Sequence, residues 1–106
     1  MQPLDQEQPL SVIQAYVAAM ELERGFSDRD VLSQALLLGE EVGELNKAIR
    51  KRQKHLSVDP ESRVGEVDEE LADILIVMCS IANRYGIDLD EALRKKEARN
   101  ELRRWT

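Results

Sequence analysis

Histidine and cysteine occur once each in these 106 residues, as His55 and Cys79. A lone cysteine excludes an internal disulfide, and its place inside an apolar run reads as a small buried hydrophobe. A lone histidine, outside every helical pattern, excludes the Glu-x-x-His pairs of ferritin-like di-iron bundles. It also excludes the histidine and cysteine sets that zinc prefers. Aromatic residues make up 4% of the chain, so the core must be built from Leu, Val, Ile and Ala, which favours helices packed on helices. No stretch reaches the roughly 18 consecutive apolar residues of a membrane span, and no charged-then-apolar leader opens the chain. A cytoplasmic protein without membrane contact is the expectation. Basic residues are in deficit, 15 against 21 acidic, for a net charge of −6. That balance argues against a nucleic-acid partner, whose phosphate backbone calls for a basic footprint.

What is present suits one small globular domain with one core. Hydrophobic residues are 42% and charged residues 34%. Residues 1–9 are polar, carry two prolines and show no period, so they read as a flexible N-terminus ahead of a single domain at 10–106. Ser11 with Gln14 has the form of a capping box, opening a helix from about Val12 to Arg24 that Gly25 ends. Ser27 or Asp28 is placed to cap a second helix running to about Lys54. Its apolar positions Val31, Ala35, Leu38, Val42, Leu45 and Ile49 alternate by four and three, the spacing of a helical seam. Gly39 and Gly43, four apart in its interior, would let a partner helix or a ligand's phosphates approach closely.

His55–Asp59 reads as a connection, and Asp59-Pro60 as the cap and first position of a third helix reaching Tyr85, with Gly86 ending it. Asp88, with Glu91 three residues on, caps a fourth helix that ends near Trp105. There is no strand signal and no low-complexity segment. The expected fold is all-α, a four-helix bundle protomer. From Leu71 to Ala82 the third helix is apolar nearly all round, more than one small bundle can cover. A homodimer at least follows.

Carboxylates cluster beside the apolar faces of the two long helices. Glu41 and Glu44 are three apart and Glu40 and Glu44 four apart, so all three are neighbours on one helix. Glu70 and Asp73 repeat the three-residue spacing on the third helix, where apolar neighbours predict an enclosed Asp73. Like charges so placed repel, and a buried unpaired carboxylate costs several kcal/mol or protonates. One shared site filled by a hard divalent cation resolves both problems; oxygen-only ligands point to Mg2+ or Mn2+, commonly held by carboxylates together with substrate phosphates. From Arg94 to Arg104 six basic residues face two acidic ones, a +4 segment suited to phosphate, against −10 for the rest.

Glu40-Glu41-x-x-Glu44 followed by Glu70-x-x-Asp73 is similar to the signature of the MazG-like, all-α nucleoside triphosphate pyrophosphohydrolases. The preceding Leu36-Leu37-Leu38-Gly39, the Gly86-Ile87-Asp88-Leu89 turn and the Lys96-x-x-x-Asn100-x-x-Arg103 tail fit as well. The resemblance spans about residues 12–105 and is to the short single-domain type. It implies Mg2+-dependent cleavage of (deoxy)nucleoside triphosphates to monophosphate and pyrophosphate, in a house-cleaning role against aberrant nucleotides. It implies Glu41, Glu44, Glu70 and Asp73 as metal ligands, with Glu40 as a further ligand or water-orienting group, so that Glu40 and Glu41 are the catalytic candidates. Lys96, Asn100, Arg103 and Lys47 are implied as substrate-binding residues. Phe26 sits where some members place an aromatic against the base, although a core staple is at least as good a reading. Homodimers or homotetramers with sites near subunit interfaces are implied too. The alternatives are a non-enzymatic helical interaction module and a hydrolase of another pyrophosphate-linked substrate.

Overall fold

The computed structural model describes residues 9–53 and 66–103. It contains α1 (Leu10–Arg24), α2 (Val31–Gln53), α3 (Val67–Arg84) and α4 (Leu89–Glu101). No strand occurs among the described residues, and they form the expected all-α architecture of four helices. No helix among them is long and apolar enough to cross a membrane. The expected flexible end at residues 1–8, the connection at His55–Asp59, the Asp59-Pro60 helix start and Trp105 lie outside the described residues.

The chain divides into two compact units. One joins the segment up to Asp28 to the segment from Cys79 onward, and thus holds α1, the end of α3, and α4. The other is Arg29–Met78, with α2 and the first part of α3.

In the first unit the helix ends explain themselves. The Ser11–Gln14 capping box does not form: α1 starts at Leu10 behind Pro9, which offers no side-chain cap. Asp90 of α4 does that work from across the fold, accepting the backbone N–H groups of Leu10 (3.3 Å) and Ser11 (3.0 Å). Gln14 is buried and committed elsewhere. Its Nε2 donates to the Ile87 carbonyl (2.7 Å) and to Asn83 Oδ1 (3.2 Å), and its Oε1 accepts from Leu89 N–H (2.8 Å).

Both α1 and α3 close on left-handed glycines, Gly25 (φ 78°) and Gly86 (φ 65°), as the sequence predicts. At the first, Phe26 N–H reaches Glu21 O (2.7 Å) and Gly25 N–H reaches Leu22 O (3.4 Å); at the second, Ile87 N–H reaches Ala82 O (2.9 Å). These are the paired bonds of the Schellman motif, which satisfy the last carbonyls of a helix. Asp88 caps α4 as predicted, accepting from the N–H groups of Asp90 and Glu91. Val17 and Cys79 are fully buried, with Met20 and Ala82 nearly so, which bears out the reading of Cys79 as a small core residue.

In the second unit α2 begins later than expected. Ser27 and Asp28 form a turn, and Asp30 is the cap, its Oδ1 accepting Ser33 N–H at 2.8 Å. The apolar stripe is also rotated from the expected seam. Gln34 and Ala48 are buried, and Leu37, Leu38, Glu41, Glu44, Leu45 and Lys47 are half-buried, whereas Val42 and Ile49 are exposed. The rotation brings Glu41 and Glu44 into the inward stripe. Gly39 and Gly43 make no close approach among the described residues, since nothing lies within 4 Å of where a Cβ would stand on either.

Candidate metal centre

Glu41 is carried inward by α2 at the middle of its half-buried stripe. Glu70 and Asp73 come from the first two turns of α3, one turn apart. One carboxylate oxygen from each of the three lies within 4.8 Å of the other two. This is the pairing of the two helices' acids that the spacing predicts, now with its geometry. All three belong to the unit Arg29–Met78.

The burial is not as expected. Glu70 is the buried member and Glu41 is half-buried, but Asp73 is exposed. The expectation that Asp73 is enclosed fails because the described residues leave that side of α3 uncovered. Glu69, Ala72, Asp73 and Ile76 share one side of the helix at three- and four-residue spacing, and every one of them is exposed. Leu71 and Met78, 52% and 42% accessible, are exposed as well. The apolar text of α3 therefore describes a helix with apolar surface to spare among the described residues.

The electrostatics follow from the crowding. Burial pushes the Glu41 carboxyl above its usual range, and the charges of Asp73 and Glu70, a hydrogen bond with Glu70 and the charge of Glu44 all act in the same direction. Glu44 thus acts on the group without being one of the three that converge. Three carboxylates with an outward opening at Asp73 match what a hard, oxygen-seeking divalent cation takes.

The remaining candidates are placed as follows. Glu40 is exposed and stands outside the converging three; Lys47 is half-buried on α2. On α4, Lys96 is exposed, and Asn100 is half-buried and donates to Glu97 Oε2 at 3.3 Å. Arg103 follows the helix, its N–H donating to Asn100 O at 3.1 Å. Phe26 is half-buried just after α1. Phe26, Lys96, Asn100 and Arg103 belong to the first unit, so the structure does not bring them together with the acids within one unit.

Residues 29–103 match the MazG nucleotide pyrophosphohydrolase domain. The chain belongs to the MazG family. Its structure is similar to the crystal structure of iMazG from Vibrio DAT 722, with 31% sequence identity and a TM-score of 0.66 over 90% of this chain and 96% of that one. Comparison with curated proteins gives no match. All three converging acids of this MazG domain fall inside the matched segment.

Sequence reasoning passed over one buried pair altogether. Glu21 of α1 and Arg84 of α3 have side chains only 7% and 14% exposed, and Arg84 Nη2 lies 2.8 Å from Glu21 Oε2. That contact is an ion pair with poor hydrogen-bond geometry, since Oε2 is buried without a hydrogen bond. The directed bond is Nη1 to Oε1, at 3.2 Å. The available signal was a single charge of opposite sign beside each apolar run, Met20-Glu21-Leu22 and Ile81-Ala82-Asn83-Arg84.

Proposed function

We propose that this MazG protein is a Mg2+-dependent nucleoside triphosphate pyrophosphohydrolase, cleaving (deoxy)nucleoside triphosphates to monophosphate and pyrophosphate. The observation that carries the reading is the convergence of Glu41, Glu70 and Asp73 inside the MazG segment. Such a trio is costly without a cation and useful with one. Glu41, Glu70 and Asp73 would hold Mg2+, with Glu44 as a fourth ligand and Mn2+ as the other cation the set accepts. When bound, the cation supplies screening of triphosphate charge and a lowered pKa for water.

The chain's own groups do the rest. Glu40 or Glu41 accepts the proton of the attacking water. The water oxygen bonds to the α-phosphorus as the bond to the bridging oxygen breaks, and pyrophosphate leaves. Lys47, Lys96, Asn100 and Arg103 bind the triphosphate and sugar and offset its charge, and Phe26 packs against the base. A house-cleaning role fits this chemistry.

The assembly reading belongs to the same proposal. Leu71, Ile76 and Met78 leave apolar surface open on the helix that carries Glu70 and Asp73. A homodimer or homotetramer with sites near its interfaces covers it, and a clean monomer in sedimentation at micromolar concentration would overturn that part.

A screen of ribo- and deoxynucleoside triphosphates with Mg2+ tests the activity. Stoichiometric pyrophosphate and monophosphate from at least one of them is the expected result. Turnover confined to another pyrophosphate-linked substrate would move the reading to that class. No turnover by folded protein would leave a helical interaction module.

A further inference from the structure

We propose that Arg84, paired with Glu21, is the positioning residue for Phe26. This rests on the reading above, in which Phe26 meets the nucleobase. Neither Arg84 nor Glu21 belongs to the acidic centre or to the basic tail.

The geometry is that of a clamp on one peptide unit. Arg84 Nη1 donates to Ser80 Oγ (2.6 Å), to the Ser80 carbonyl (3.1 Å) and to Glu21 Oε1 (3.2 Å). Those contacts fix the guanidinium between the last turns of α3 and α1. Its Nη2 then donates to the Phe26 carbonyl at 3.0 Å. The Phe26 N–H is held as well, by Glu21 O at 2.7 Å. The Phe26 carbonyl is therefore held by Arg84 and its N–H by the helix-end bond to the Glu21 backbone carbonyl, directly after Gly25 reverses the chain at φ 78°. With its backbone fixed at both ends, the ring keeps only its two side-chain torsions.

Ser27, the next residue, lines a cavity of about 150 Å³ together with Ala18, Glu21, Asn83 and Arg84. A buried ion pair is a poor device for stability as such, since an apolar pair of the same volume often serves as well or better. An apolar pair cannot hold a carbonyl oxygen. Lysine cannot replace the fork either, because it presents a point charge in place of a planar set of five donors. Arg84 and Glu21 thus account for their burial by orienting Phe26.

Phe26 is the sole phenylalanine of the chain, so 4-fluorophenylalanine labelling gives a single fluorine NMR line from this position. Arg84→Lys keeps a positive charge opposite Glu21 while removing the fork. In the parent, the line is narrow and moves on adding Mg2+ with the α,β-imido analogue of the best triphosphate substrate. In Arg84→Lys it is broadened or displaced before any ligand is added, KM rises tenfold or more, and kcat changes less than threefold. Phe26→Leu raises KM alike, and the double variant is no worse than the worse single one. Should Arg84→Lys not fold, Glu21→Ala, which removes the carboxylate that helps fix the guanidinium, is read in the same way. An unchanged line and KM in the clamp variant, or KM effects that multiply in the double variant, overturn the inference. So does a parent that hydrolyses its substrate while the analogue leaves the line in place, and that result spares the proposed activity. A parent that hydrolyses nothing overturns both.

Discussion

Asp90 accepts the backbone N–H of Ser11 at 3.0 Å, although 79 residues separate the two in sequence. Its other oxygen takes Leu10 N–H, so a side chain in the first turn of α4 serves as the N-terminal cap of α1. These bonds hold the Asp90 carboxyl below its usual range, the Ser11 backbone bond being the largest cause. A lowered folded-state pKa means that the unfolded chain takes up the proton first. The stabilisation is present above the ordinary value near 3.8 and is lost as pH falls through the lowered one. Asp90→Ala should lower the melting temperature at pH 7. The gap between parent and variant should close on acidification below about pH 4. A gap that stays constant down to pH 2 would show that Asp90 is not the cap.

Gln14 gives a sharper stability test, because it is buried and all its polar atoms are used. Its amide bonds Ile87 O, Asn83 Oδ1 and Leu89 N–H, and Asn83 Nδ2 returns a bond to the Gln14 carbonyl at 2.9 Å. Gln14→Leu leaves the Ile87 carbonyl and the Leu89 N–H of the α3–α4 turn, both part-buried in these bonds, without their partner. Each orphaned group costs about 1–3 kcal/mol, so urea denaturation should show a loss of roughly 2–4 kcal/mol with an unchanged slope. A loss below about 0.5 kcal/mol would mean that water replaces the amide.

The helices and the acid pairs were legible because both are short-range properties. Three- and four-residue spacing places Glu70 beside Asp73, and a left-handed turn selects Gly25 and Gly86. The caps were misread at two of the helix starts because capping is decided by whichever oxygen arrives. At α1 it arrives from Asp90, and at α2 from Asp30 once Ser27 and Asp28 are spent in a turn. Asp73 reads as enclosed because apolar neighbours measure the tendency to be covered, not the coverage that the described residues provide. Glu21–Arg84 escaped because each residue looks like an ordinary helix-surface charge until α1 and α3 are brought together.

The exposure of Asp73 makes it a clean probe of the metal centre. Its removal leaves no buried orphan, and its charge is the largest single one acting on Glu41. Asp73→Asn should therefore leave the metal-free protein as stable as the parent or more so. Mg2+ bound only by the folded state adds ~2.7 kcal/mol at a hundredfold excess over its dissociation constant, a rise of roughly 10 °C or more for a domain of this size. The parent should show that rise and the variant far less, with hydrolysis abolished. A variant that responds to Mg2+ as the parent does would remove Asp73 from the ligand set.

Glu41 makes the same centre visible through pH, with the opposite sign to Asp90. Its folded-state pKa is raised, first by burial and then by Asp73, Glu70 and Glu44. In metal-free protein the folded state therefore binds this proton more tightly than the unfolded chain, whose carboxyl titrates near 4.5. The penalty of a charged Glu41 is complete above the raised value. It is relieved as pH falls from there toward 4.5, and below 4.5 the relief is complete. Denaturation of parent and Glu41→Gln in EDTA isolates the effect from the other carboxylates. The variant should be the more stable at pH 7, and the difference should shrink across that window. Mg2+ competes with the same proton, so the parent's calorimetric Mg2+ affinity should fall over the same window. Parallel stability curves for parent and Glu41→Gln would show that Glu41 feels neither the other carboxylates nor its burial, and the centre would lose its electrostatic basis.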